Sequence, residues 1–271
     1  MITFPNAKIN IGLWITSKRD DGYHNILTIF YPAGLCDALE FAVPSPKLRS
    51  DKLTVSGISP GDPADNLVLK ALQAVRAKYK IPFLDIHLHK AIPPGAGLGG
   101  GSSDASAFIK LLNDYFNLGM STAEMMDIAL TLGSDCPFFI TGQPACAGGR
   151  GEILTPLKPL SGEYHLVIVA PALHVSTKEA YSLCRPVSRD NLLSQYYKCD
   201  IREWRKLITN DFEAVIFEKY PRLKMIRDSL YDAGALYSSM SGSGSALYGI
   251  FSQKPELPES LLAETIYSGL L

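Results

Sequence analysis

The chain has 271 residues, 46% of them hydrophobic and 20% charged, a composition that suits a folded globular protein with one large or two ordinary cores. Lys plus Arg number 26 against 27 acidic residues, a net charge of −1, which speaks against a sequence-independent grip on nucleic acid or on an acidic membrane surface. Five widely spaced cysteines without a C-x-x-C pair fit reduced thiols rather than a disulfide or zinc framework. With no signal-like leader and no apolar run long enough to span a bilayer, the expected location is the cytoplasm.

Residues 8–16, 23–31, 37–43 and 52–56 are rich in Ile, Leu, Val, Tyr and Phe between Gly, Pro and Asp clusters, which predicts a strand-rich opening. Asp65-Asn66 then begins a helix in which Leu67, Val68, Ala71, Leu72, Val75 and Tyr79 recur at spacings of three and four. In the strand that follows, Leu84, Ile86 and Leu88 alternate with Asp85, His87 and His89, so one face is buried and the other wet. His87-x-His89 has the spacing of a metal pair but no third ligand nearby, and reads as part of the wet face.

Pro93-Pro94-Gly95-Ala96-Gly97-Leu98-Gly99-Gly100-Gly101-Ser102-Ser103-Asp104 places five glycines in seven positions directly ahead of Ala105, Phe108, Leu111, Leu112 and Tyr115 at helical spacing. Chain without Cβ atoms can turn successive N–H groups toward an anion, and the helix start adds its own free amides, so a phosphate cradle is expected. A Walker loop would need lysine at position 101, where Gly101 stands. Gly95, Gly97 and Gly100 match G-x-G-x-x-G, but the preceding strand does not turn straight into the loop and the acid about twenty residues on, Asp114, falls within the same helix.

Further on, Ser121-x-x-Glu124 has the form of a capping box and opens a helix to about Leu132, which Gly133 stops. Asp135 then sits in a short Gly-Ser-Asp-Cys-Pro connection, where spacing alone favours a turn-capping aspartate. The Pro- and Gly-rich stretch 155–162 marks a domain boundary, dividing the chain into 1–157 and 158–271. The second part is expected to hold a strand at His165–Ala170, helices near Ser176–Leu183, Ile201–Phe217 and Leu223–Ala233, strands at Leu236–Met240 and Ala246–Phe251, and a closing helix. Without a strict βαβ repeat, the expectation is an α+β fold in two domains with the ligand in the cleft between them. A second glycine-rich turn, Ser241-Gly242-Ser243-Gly244-Ser245, lies between the last two strands.

The loop with its prolines and double serine resembles the phosphate-binding motif of the GHMP small-molecule kinases, and other segments do too: Pro5-Asn6-Ala7-Lys8-Ile9-Asn10, Asp21-Gly22-Tyr23-His24, Leu132-Gly133-Ser134-Asp135-Cys136-Pro137 and Met240–Ala246. The resemblance runs from position 5 to about 250 and is nearest to the isoprenoid-precursor branch of the family. It implies a ribosomal protein S5 domain 2-like N-terminal domain that binds ATP and a ferredoxin-like C-terminal domain that binds substrate. It also implies ATP-dependent phosphorylation of the 2-hydroxyl of the methylerythritol part of a cytidine diphosphate conjugate, in the non-mevalonate route. By the same resemblance Asp135 is the general base and Lys8 the charge stabiliser. Residues 93–103 (Pro93, Pro94, Gly95, Ala96, Gly97, Leu98, Gly99, Gly100, Gly101, Ser102, Ser103) hold ATP with Mg2+, and Ser102 is a candidate for the metal. Asn10, Tyr23, His24, Phe30 and Tyr181 contact the acceptor, the aromatics through its base, although for Phe30 core packing explains the residue equally well. The implied partner is that small molecule, with no nucleic acid or membrane, and a monomer or homodimer. Two departures stand out. Tyrosine occupies position 181 where phenylalanine is usual, and Ala96 replaces a glycine, which the loop tolerates only with negative φ. Homoserine- and mevalonate-type kinases, and a non-catalytic nucleotide-binding module, are the competing readings.

Overall fold

The computed structural model describes residues 1–44, 49–58 and 65–271. In chain order the strands are β1 (Ile2–Thr3), β2 (Asn6–Lys18), β3 (His24–Cys36), β4 (Ala38–Ala42), β5 (Lys52–Gly57), β6 (Asp85–Lys90), β7 (Ala145–Gly148), β8 (Ile153–Pro156), β9 (His165–Val169), β10 (Tyr237–Met240), β11 (Leu247–Phe251) and β12 (Thr265–Leu270). The helices are α1 (Leu67–Arg76), α2 (Gly100–Phe116), α3 (Thr122–Leu130), α4 (Cys136–Thr141), α5 (Thr177–Leu183), α6 (Leu192–Lys198), α7 (Trp204–Leu207), α8 (Asp211–Lys219), α9 (Pro221–Asp232) and α10 (Glu259–Leu262).

Contacts divide the chain into two compact units that interleave along the sequence. One comprises Met1–Ala7, Leu35–Pro94 and Gly99–Gly142, the other Lys8–Gly34, Gly95–Leu98 and Gln143–Leu271. Compactness therefore does not divide the chain at 157/158. The cause is pairing: β3 is hydrogen-bonded to β7, with Thr28 opposite Ala147, so the opening hairpin travels with the second half of the chain.

In the first unit the sheet order is β1-β4-β6-β5, with β5 and β6 parallel and the other pairs antiparallel. Leu39, Phe41, Ile86 and Leu88 of this sheet pack with Val68, Ala71, Leu72 and Val75 of α1 and with Phe108, Ile109 and Leu112 of α2. Each large side chain so buried contributes about 1.5–3 kcal/mol. Helix α1 starts where Asn66 Oδ1 accepts the Val68 amide at 2.9 Å. Helix α3 starts where Ser121 Oγ accepts the Glu124 amide, and the Glu124 carboxylate receives the Tyr79 hydroxyl rather than closing a capping box.

The second unit holds the sheets β2-β3-β7-β8 and β10-β11-β9-β12. Leu166, Val167, Ile168 and Val169 on β9 are fully buried, with Val167 and Val169 packed among Phe212, Ile216, Leu223, Ile226 and Leu230 of α8 and α9. The α+β expectation holds. The helix expected over 201–217 is instead a 3-10 turn at Ile201–Glu203, α7 and α8, because residues 208–210 serve other partners. Leu13 donates its amide to Thr209, and Asn210 caps α8 through the Phe212 amide. The closing helix is a single turn, and the chain finishes in β12, an edge strand on β9. All five cysteines are free, and among the described residues no helix is long and apolar enough to cross a membrane.

Candidate active site

Within the second unit the first half of the glycine loop is fastened to β2 and to the β10–β11 turn. Lys8 donates its amide to Leu98 O at 2.9 Å and its ammonium to Gly97 O at 3.0 Å. Ser241 Oγ donates to the same Gly97 carbonyl at 2.8 Å, and the Ala246 amide donates to Ala96 O at 3.1 Å. Gly97 has φ +79°, and a Cβ there would lie 1.9 Å from Ser241 O, so only glycine lets these two glycine-rich segments meet. Ala96 is not among the residues with positive φ, which is the condition its side chain required.

Lys8 itself is 3% exposed. Its ammonium also donates to Asn10 Oδ1 and lies 4.9 Å above the centre of the Phe30 ring. The Asn10 amide group is fixed in turn by donation to Thr28 Oγ1 at 3.0 Å, and Thr28 donates to Gly12 O. A buried lysine held this way is a fixed point charge, not a solvated surface residue. Asn10, 1% exposed, is the acceptor for that ammonium. Sequence reasoning missed Thr28, whose only signal is a polar side chain in an apolar strand.

In the first unit the second half of the loop becomes the start of α2. Gly99 is its N-cap, with φ +72° and no side-chain cap, so no side chain competes for the first-turn amides. An uncapped glycine-led helix start of this kind suits an anion chemically. Beneath this turn lies a charge cluster that sequence reasoning also missed. Lys90 donates to Asp37 and, at 2.7 Å, to Asp104, while Asp37 Oδ1 accepts the amides of Ala91 and Ile92 at 2.6 and 2.8 Å. A Cβ on Gly100 would stand 3.2 Å from Lys90 Nζ. The cluster thus ties together the strand before the two prolines and the helix after the loop. Burial pushes the Asp104 carboxyl up to about 7, against the pull of Lys90 and with help from Asp37. The signal was present: Lys90 continues the buried phase of Ile86 and Leu88, and an inward lysine demands carboxylates. The outward pair, His87 and His89, shares the Ser56 hydroxyl at 2.9 and 3.0 Å.

Asp135 occupies the N-cap position of α4, and its side chain makes no cap hydrogen bond to that helix. The turn that carries it is anchored on α2. Ser106 Oγ donates to Cys136 O at 2.8 Å, and a Cβ on Gly133 would lie 4.0 Å from Ser102 Oγ. Burial lifts the Cys136 thiol to about 11, opposed by the Ser102 hydroxyl, so this neighbour of the carboxylate stays a neutral thiol at pH 7. Among the described residues no group of three or more His, Cys, Asp or Glu could hold a metal.

The aromatic residues separate into two sets. His24 and Tyr181 stack with ring centres 5.1 Å apart and planes 18° from parallel, and Phe212 meets Tyr181 edge-on at 4.9 Å. Burial, helped by Lys18, lowers the His24 pKa, so the ring is neutral at pH 7. Tyr23 is 58% exposed and lies 5.2 Å from the Arg150 guanidinium. Phe30, for which base contact and core packing are equally good expectations, is 1% exposed with the Lys8 ammonium over its ring, which favours packing.

Comparison with known proteins agrees with this geometry. The family model described as GHMP kinases N terminal domain matches residues 66–143, and the one described as GHMP kinases C terminal matches residues 192–264. The chain is 48% identical over 269 residues to 4-diphosphocytidyl-2-C-methyl-D-erythritol kinase of Porphyromonas gingivalis, covering 97% of each. A crystal structure of 4-(cytidine 5'-diphospho)-2C-methyl-D-erythritol kinase superposes with a TM-score of 0.83 at 32% identity, covering 100% of this chain and 98% of the other. Homoserine kinase from Cytophaga hutchinsonii superposes with a TM-score of 0.64 at 17% identity, over 90% and 85% of the two chains, a likeness of fold alone.

Proposed function

Since the chain belongs to the GHMP kinases, we propose that it transfers the γ-phosphoryl group of ATP to the 2-hydroxyl of 4-diphosphocytidyl-2-C-methyl-D-erythritol, a step of non-mevalonate isoprenoid-precursor synthesis. Phosphoryl transfer asks a protein chiefly to align donor and acceptor, to offset charge on the moving group and to accept the hydroxyl proton. In this reading the amides from Gly95 to Ser103 hold the ATP phosphates. Lys8, kept rigid by Asn10 and Gly97, stabilises the developing charge. Asp135 orients the acceptor hydroxyl and takes its proton.

A magnesium ion arriving with the nucleotide would add positive charge that the loop lacks at Gly101, held by phosphate oxygens and the Ser102 hydroxyl. Tyr23, His24 and Tyr181 supply ring faces and hydrogen-bonding edges for the cytosine. Because His24 and Tyr181 already stack on each other, the base is expected against an outer face of that pair. Homoserine- and mevalonate-type kinases have no comparable use for a nucleobase clamp.

The observation that carries the proposal is the likeness over 97% of both chains to a relative named for this reaction, together with the Ser106 hydrogen bond that anchors the turn of Asp135 on the phosphate helix. The test is phosphate transfer from ATP with magnesium, offering the cytidine conjugate, homoserine and mevalonate at equal concentration. The conjugate should be preferred, and Lys8→Ala and Asp135→Asn should each lower kcat by at least about a hundredfold. Preference for homoserine or mevalonate would point to a sister kinase. Unchanged turnover in Asp135→Asn would remove the carboxylate from the mechanism.

A further inference from the structure

The glycine loop leaves a question of charge. Position 101 has no lysine, Lys8 is assigned to the transferred group, and Lys90 is held between two carboxylates. A different side chain of the second unit reaches the loop. A Cβ on Gly95 would lie 3.3 Å from His174 Cε1 and 3.5 Å from His174 Nδ1, so the imidazole stands over the first positive-φ glycine of the cradle.

His174 is exposed, but its backbone is not loose. On one side Leu173 O accepts the Ser245 hydroxyl; on the other Val175 is 1% exposed and belongs to the core. Just beyond, Thr177 Oγ1 and Ser243 Oγ share a hydrogen bond of 3.0 Å, so the segment is tied twice to the turn that also fastens Gly97. An outward imidazole on an anchored backbone beside a glycine can donate a ring N–H to an oxyanion there.

From this geometry we infer that His174 is a further phosphate-binding residue, donating an imidazole N–H to a phosphate oxygen at the Gly95 end of the loop. The inference rests on the kinase reading for the identity of that phosphate. ATP and the diphosphate of the acceptor offer the same chemistry, and separate kinetic arms distinguish them. A hydrogen bond to a charged group is worth about tenfold or more in affinity. Because such a bond holds ground state and transition state alike, its loss raises KM and spares kcat.

Two variants separate donation from packing. His174→Phe keeps a flat ring over Gly95 and removes the N–H, whereas His174→Gln loses the ring and keeps a donor. Steady-state kinetics would vary ATP and the cytidine conjugate in turn, and calorimetry would measure binding of inorganic triphosphate as a probe that needs no turnover. The expected result is a KM for one of the two substrates raised about tenfold in His174→Phe, with kcat within twofold, and largely restored in His174→Gln. Weakened triphosphate binding in His174→Phe would assign the contact to the ATP side, and unchanged triphosphate binding with a raised acceptor KM would assign it to the acceptor diphosphate. Both KM values within twofold of wild type in His174→Phe, or equal impairment in the two variants, would overturn the inference. If wild type turned over none of the acceptors, the kinase reading would fall, while the triphosphate titration would still decide whether His174 binds phosphate.

Discussion

Gly97→Ala tests whether the meeting of the two glycine-rich segments is required. Alanine at φ +79° costs about 1–2 kcal/mol in backbone strain. Its Cβ would also arrive 1.9 Å from Ser241 O, where side-chain carbons essentially never approach within 3.0 Å, so the segments must separate by about 1.1 Å. That displacement breaks the 2.8 Å bond from Ser241 Oγ and the 3.0 Å bond from Lys8 Nζ, both of which end on Gly97 O. Losing a neutral and a charged hydrogen bond removes about 2–4 kcal/mol more. The expected loss of stability is about 3–6 kcal/mol, and a misplacement of about 1 Å at reacting groups is expected to lower kcat/KM by about a hundredfold. Urea unfolding and the phosphate-transfer assay would measure the two quantities. Gly101→Ala is the control: it lies in α2, and its Cβ would meet nothing nearer than Leu67 Cδ1 at 3.7 Å, so stability should hold or rise by up to about 1 kcal/mol. A Gly97→Ala protein as stable and active as wild type would refute the reasoning.

Two further predictions concern the buried cluster beneath the phosphate helix. Lys90→Met leaves Asp37 and Asp104 buried without their cation and should cost about 3–5 kcal/mol in urea unfolding at pH 8; a smaller loss at pH 5 would show the carboxylates taking up protons instead. Asp104→Asn should flatten the dependence of stability on pH. The folded carboxyl is pushed up to about 7 from 3.8, so the native state holds a proton that the unfolded chain releases between those values. The resulting stabilisation is complete below about pH 4 and lost as pH rises through 7, up to about 4 kcal/mol. Parallel unfolding curves for wild type and Asp104→Asn between pH 5 and 8 would contradict this assignment.

Much of the candidate site was legible because its signals are local. Positive-φ glycines ahead of a helical apolar stripe specify an amide-lined loop wherever they occur, and Gly95, Gly97 and Gly99 take those angles here. The cap at Asn66 and the stripe of Val68, Ala71, Leu72 and Val75 likewise depend on neighbours within two turns. The broken helix over 201–217 shows the limit. Its apolar pattern permits one helix, but Asn210 donates to Met240 O and Gly242 O, thirty and thirty-two residues away, and those bonds stop the helix before it.

Sequence alone therefore determined the loop, its helix and the residue types able to do phosphoryl chemistry, since backbone angles and amphipathic periods are set over a few residues. Tertiary structure decided which polar groups become functional. Lys8 is a fixed ammonium because Gly97, Asn10 and Phe30, distant in sequence or hidden in local pattern, converge on it. The inward Lys90 finds Asp37 and Asp104 from 53 and 14 residues away, and His174 meets Gly95 across a long stretch of chain. Such pairings come from the burial of separate segments together, where an unpaired charge is costly and a displaced glycine cannot be replaced, and no local pattern encodes them.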